Sequence, residues 1–198
     1  MKNPENIMEV SKLKPDMMGF IFYPSSKRFV GDQFIVPDNF PGNIKKVGVF
    51  VDESIERVFA IVKKCNLQVV QLHGTESPEY CLRIKNSGVE VIKAFGIDES
   101  FNWNIPESYI STSNYFIFDT KTPKHGGSGR KFSWKVLDNY KHNHPFLLSG
   151  GIGPEDTGLI KSFVHRQCIG IDINSGFETG PGVKDVEKLH FFFKEMKK

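Results

Sequence analysis

The 198 residues contain only three cysteines, Cys65, Cys81 and Cys168, with no C-x-x-C spacing among them. An odd, scattered set supports neither a disulfide framework nor a zinc site, so these thiols read as ordinary groups in a reducing cytoplasm. No apolar run reaches membrane-spanning length. Lys2 is followed by acidic and polar residues, where a signal peptide would need an apolar stretch. Long basic blocks and alternation of arginine with aromatic residues are also missing, which leaves little to bind nucleic acid. The net charge of +3 comes from 26 Lys plus Arg against 23 Asp plus Glu, mixed along the chain. It suits an anionic small ligand and equally describes a solvated surface. These absences point to a cytoplasmic protein, a monomer by default, with no membrane or nucleic-acid partner and no metal.

What is present is a rhythm. Short β-branched or aromatic runs at 17–22, 47–51, 67–72, 91–95, 115–119, 145–149 and 169–173 are each followed by a Gly or polar turn and then by helical spacing. Their near-continuous hydrophobicity marks strands buried on both faces, hence a parallel sheet covered by helices. Asn3 before Pro4-Glu5, Ser77 before Pro78-Glu79, and Gly153 before Pro154-Glu155 mark helix starts. The chain therefore opens on a helix, from Asn3 to about Leu13, and closes on one, from Val183 to about Met196, which places seven strands between eight helices. The fold expected over residues 1–198 is one α/β domain, a (β/α)8 TIM barrel whose first strand is missing. Its length is short beside the roughly 250 residues usual for that barrel.

Several strand ends carry chemistry-bearing residues. Ser149-Gly150-Gly151-Ile152 and Asp172-Ile173-Asn174-Ser175-Gly176 close two consecutive strands, and glycines there let backbone N–H groups approach an anion. Tight turns would explain either motif alone. Asp119 ends an apolar strand ahead of Thr120-Lys121 and the loop His125-Gly126-Gly127-Ser128-Gly129. Partial burial would favour its protonated form and fit it for general-acid work, although a strand-end aspartate also serves as a turn former. Gln71-Leu72-His73-Gly74 occupies the same level, where His73 could orient a ligand or simply bond to loop backbone. Arg28 has a guanidinium fork able to take a carboxylate in two places, or to sit solvated on the surface.

Taken in order, these words resemble the phosphoribosylanthranilate isomerase family of tryptophan biosynthesis. The likeness extends through Asn3-Pro4-Glu5-Asn6-Ile7, Gly19-Phe20-Ile21-Phe22-Tyr23, Phe132 with Trp134, and Ser175-Gly176-Phe177-Glu178 with Pro181-Gly182-Val183-Lys184-Asp185. The resemblance implies an aldose-ketose isomerase that needs no cofactor and acts on a phosphorylated small molecule by Amadori rearrangement. It implies Asp119 as general acid and Arg28, Gln71 and His73 as substrate-binding residues. Gly150, Gly151, Asn174, Ser175 and Gly176 would hold the phosphate. It also implies a general base that is a cysteine on a first strand ahead of Met1. The resulting expectation is that the chain starts at an internal methionine of a longer protein and lacks that base, with its activity impaired accordingly. A noncatalytic phosphate-ester binder and a related sugar-phosphate barrel enzyme are the competing readings.

Overall fold

The computed structural model describes residues 1–120 and 133–198. The glycine-rich loop 125–129, Lys121 and Phe132 lie outside the described residues. Seven parallel strands form one sheet, each paired with its neighbour in sequence: β1 (Met17–Ile21), β2 (Lys45–Phe50), β3 (Val69–Leu72), β4 (Glu90–Ile97), β5 (Tyr115–Thr120), β6 (Phe146–Leu148) and β7 (Cys168–Ile171). All seven expected strands are present. Unbroken parallel pairing in chain order, with helices packed along it, is the TIM-barrel arrangement.

Strand alternation sorts the core into two faces. Val69, Ile92 and Ile117 join Val47 and Ala94 in a small cluster, while their neighbours Val70, Val91, Phe116 and Phe118 belong to the large one that also takes in the helices. The large cluster is rich in phenylalanine: Phe118 packs edge-on against Trp103 at 5.5 Å and at a tilt against Phe146 at 5.0 Å. Such contacts add directional preference to the burial of large apolar area.

Helices appear where capping chemistry supports them. Asn3 and Ser77 accept from the amides of Asn6 and Tyr80 and start α1 (Pro4–Ser11) and α3 (Pro78–Lys85). Ser54 does the same for α2 (Ile55–Cys65), which ends on Asn66 in the left-handed conformation. With α4 (Thr157–Ser162) and α5 (Val186–Met196) the described residues hold five α-helices where eight were expected. The segment between β1 and β2 contains Pro24, Pro37 and Pro41 and forms turns. After β4 the corresponding segment, with Pro106 near its start, tightens to a 3-10 turn at Ile105–Tyr109. Among its described residues, the segment before β6 has the 3-10 turn Trp134–Asn139. Proline removes the N–H donor and clashes with the preceding turn, which opposes an α-helix in the first two of these stretches; the described residues 133–144 contain no proline. The closing helix also begins later than its apolar spacing suggests, because Glu178–Gly180 (β8) and Val183–Lys184 (β9) form a short antiparallel hairpin ahead of it.

The N-terminal residues connect the first strand of the sheet to that hairpin. Met1 donates to the carbonyl of Gly19 at 2.9 Å, and Lys2 donates to that of Gly182 at 3.2 Å. Buried Asn6 acts like a strand neighbour to Lys184, donating to its carbonyl at 2.8 Å and accepting from its amide at 2.7 Å.

Candidate active site

Alternation along the strands decides which side chains can meet. Gln71 and Asp119 stand two residues beyond Val69 and Ile117, so they share the face of the small cluster, and His73 continues the same phase past the end of β3. The structure brings these three expected site residues together. Gln71 Nε2 lies 3.1 Å from His73 Nδ1, and His73 Nε2 lies 3.6 Å from Asp119 Oδ2. Asp119 Oδ1 accepts from the Thr120 amide at 2.7 Å. Desolvation pushes the Asp119 carboxyl above the ordinary carboxylate range, and the Thr120 amide opposes it without prevailing. The carboxyl at the mouth of the strands thus holds a proton more readily than an exposed aspartate does.

A second carboxylate lies beside it. Asp172, immediately beyond β7, accepts from Ser149 Oγ at 3.0 Å. Desolvation raises its affinity for a proton, and the nearby Asp119 charge raises it further. Two acids that cannot both ionise freely are a common source of divided acid and base character. Only the spacing from Asp119 across three strands distinguishes Asp172, so the sequence assigned it no role of its own.

The two glycine motifs are adjacent. A methyl group on Gly176 would strike the carbonyl of Ile152 and come within 3.0 Å of Gly153 Cα, so the turn after β7 lies against the loop after β6. Gly150 and Gly151 adopt φ values of +94° and +67°. At Gly150 an added Cβ would strike the Thr120 hydroxyl and lie 3.1 Å from Asp119 Oδ1, which ties the loop's glycine to the position of the acid. Gly150→Ala is therefore expected to cost about 1–3 kcal/mol through its backbone conformation and to lower turnover by displacing Asp119. Urea unfolding together with a turnover assay checks both effects; unchanged values would show that the loop accommodates the methyl. The helix after Gly153 contributes less than expected. It starts as a 3-10 turn, Pro154–Asp156, and the Gly153 amide already donates to Asp156 Oδ2 at 2.6 Å.

Arg28 also differs from expectation. Its Nε and Nη2 donate to Glu178 at 2.9 and 2.7 Å, so the two-point grip foreseen for a ligand carboxylate is filled by a carboxylate of the chain itself. Lys184 Nζ joins Glu178 at 3.2 Å and the Asn174 side chain at 2.6 Å, linking Arg28 to the turn that holds Ser175 and Gly176. Burial works against the Glu178 charge, but Arg28 and Lys184 overcome it and hold its carboxyl below the usual range. Burial dominates at Lys184 and lowers its ammonium. Glu178 and Lys184 stand in the words that carry the family resemblance, yet nothing in their spacing announces a partner as distant as Arg28.

None of the cysteines reaches this site. Cys65 ends α2, Cys81 lies inside α3 and Cys168 opens β7, and burial raises all three thiols, that of Cys81 to about 12. Among the described residues no group of His, Cys, Asp and Glu could hold a metal ion, and no helix is long and apolar enough to cross a membrane.

Residues 1–195 match the family described as N-(5'-phosphoribosyl)anthranilate (PRA) isomerase, and that match carries no mark of the N-terminal loss expected from the strand count. A protein of that name from Phocaeicola vulgatus is 41% identical over 197 residues, covering 100% of this chain and 95% of the relative. Phosphoribosyl anthranilate isomerase from Thermotoga maritima superposes with a TM-score of 0.84 at 32% identity, over 100% of this chain and 95% of its own. A further structure of such an isomerase, in complex with reduced 1-(o-carboxyphenylamino)-1-deoxyribulose 5-phosphate, gives 0.76 at 28% identity over the same shares. A family match along nearly the whole chain and a relative of this similarity place the protein plainly: it belongs to the N-(5'-phosphoribosyl)anthranilate isomerase family.

Proposed function

We propose that the chain catalyses the family's reaction as a monomer in the cytoplasm, converting N-(5'-phosphoribosyl)anthranilate into 1-(2-carboxyphenylamino)-1-deoxyribulose 5-phosphate. The observation that carries this reading is the desolvated Asp119 carboxyl facing His73 beside two abutting glycine loops. Asp119 gives its proton to the ribose ring oxygen as the C1'–O bond breaks, and the anthranilate nitrogen lone pair forms the C=N bond of a Schiff base. Loss of the C2' proton then yields an enolamine, which tautomerises to the ketose. Gly150, Gly151, Asn174, Ser175 and Gly176 hold the phosphate, with Lys184 near enough to offset its charge. Gln71 and His73 line the reacting centre. The substrate carboxylate meets the side of Arg28 turned away from Glu178.

The C2' proton needs a base, a role that the family resemblance gives to a cysteine on a first strand. The decisive assay follows the fluorescence of fresh phosphoribosylanthranilate with this chain and with a form extended by Lys-Ile-Cys-Gly. The extended form is expected to be faster by about 10²- to 10⁴-fold, the usual worth of a positioned base. Equal rates would mean that the residues present here supply the base. No turnover by either folded form, with phosphate-ester binding retained, would favour the noncatalytic reading.

A further inference from the structure

We propose that Gln71 is a positioning residue that fixes the ring proton of His73 on Nε2, so that His73 donates to Asp119 and keeps the acid's own proton for the substrate. The catalytic part of this inference rests on the isomerase reading; the placement of the proton does not.

Gln71 is 8% exposed and reaches His73 Nδ1 through its amide nitrogen at 3.1 Å. An amide nitrogen only donates, so the ring nitrogen it meets must accept. In the neutral imidazole the hydrogen then sits on the other nitrogen, Nε2. Nε2 is the atom that faces Asp119 Oδ2, at 3.6 Å. That separation is long for a hydrogen bond and of the kind that tightens once a reactant fills a site.

Two consequences follow for the acid. A nitrogen that already carries hydrogen cannot accept from the Asp119 carboxyl, so the transferable proton is not drawn into an internal bond with the ring. Once that proton has left, the new carboxylate gains an N–H donor at the moment its charge appears, which favours the transfer.

The ring can hold this role because the backbone on either side of it is pinned. The His73 amide donates to Phe50 O at 2.8 Å. Lys93 Nζ reaches Leu72 O at 3.3 Å and Gly74 O at 2.7 Å, the two carbonyls that bracket His73. Glu76 pairs with Lys93 at 3.0 Å and accepts from the Gly74 amide at 3.0 Å and the Asp52 amide at 3.0 Å. With side chains only 3% and 2% exposed, the Lys93–Glu76 pair forms a buried strut between β3 and β4.

The test is the tautomer of His73, read by long-range proton–nitrogen correlation on nitrogen-15-labelled protein, without substrate and well above the pH at which imidazole protonates. The His73 signals are those missing from His73→Gln. The expected result is an Nε2–H ring in the native chain. Gln71→Glu, whose carboxylate can only accept, should convert it to Nδ1–H with a loss of turnover of tenfold or more, on the order of ~10-fold at least. Gln71→Met, which removes the donor without adding charge, should leave a mixture of the two. An Nδ1–H ring in the native chain, or one that ignores both substitutions, would overturn the proposal. So would a reversed tautomer with full turnover. If the tautomers behave as expected while no form turns over, the proton assignment stands and the isomerase reading is the part that fails.

Discussion

Asp119→Asn lowers turnover by about 10²- to 10⁴-fold, the usual loss when a general acid is removed, while leaving the carboxamide within reach of the Thr120 amide. The same substitution stabilises the fold at neutral pH, and the sign follows from burial. Desolvation lifts the folded-state Asp119 carboxyl above its ordinary value of 3.8. Between the unfolded and the folded pKa the native chain binds more protons than the unfolded one, so stability falls as pH rises through that window. The penalty is complete above the folded pKa and absent below the unfolded one. Asparagine carries no such penalty, so the stability gap between variant and native chain opens as pH rises through the window. Asp172 adds to the effect, because its carboxyl is raised by desolvation and then by the Asp119 charge, and only the second contribution disappears with the substitution. Urea midpoints on both sides of the window, paired with turnover, check the two signs together. Retained turnover would remove Asp119 from the chemistry, and a gap that closes with rising pH would contradict the burial argument.

Lys93→Met is expected to produce the largest loss of stability, about 3–5 kcal/mol, because it leaves the Glu76 charge buried without its partner. In a chain of this length that corresponds to a fall in Tm of roughly 6–20 °C. A well-packed apolar replacement of both partners is often harmless for buried ion pairs. That escape is closed here, since Glu76 also satisfies the amides of Asp52 and Gly74, and Lys93→Met/Glu76→Leu would leave both without an acceptor. The double variant should therefore recover only part of the loss. Thermal unfolding of the two variants decides the matter: full recovery would show that the pair contributes charge balance alone.

The seven strands were legible because their residues are apolar on both faces, a pattern that only a covered parallel sheet explains. The caps at Asn3 and Ser77 were legible for a similar reason, since a short polar side chain ahead of Pro-Glu satisfies exposed amides wherever it occurs. Helices were over-counted where apolar spacing continued through prolines, as at Pro37, Pro41 and Pro106: spacing reports which face is buried, not whether the backbone can close its hydrogen bonds. In the site, Gln71, His73 and Asp119 could be placed from strand ends and alternation alone. Arg28 was assigned a free fork because its partner Glu178 stands 150 residues away. Asp172 and Lys184 escaped for the same reason. Their importance lies in contacts across the sheet, to Ser149 and to Glu178, which no local pattern encodes.

The Arg28–Glu178 pairing has a consequence for how the protein matures. Every strand of the sheet can dock onto the one synthesised just before it, so the scaffold grows by short-range steps that keep loop-closure entropy small. The guanidinium made early waits for a carboxylate made almost last, and Lys184, which completes the trio, follows later still. Recognition thus matures after architecture: a nascent chain, or one clipped before the final hairpin, can assemble its strands yet leaves Arg28 unmatched and the glycine turn at Ser175 without its tether.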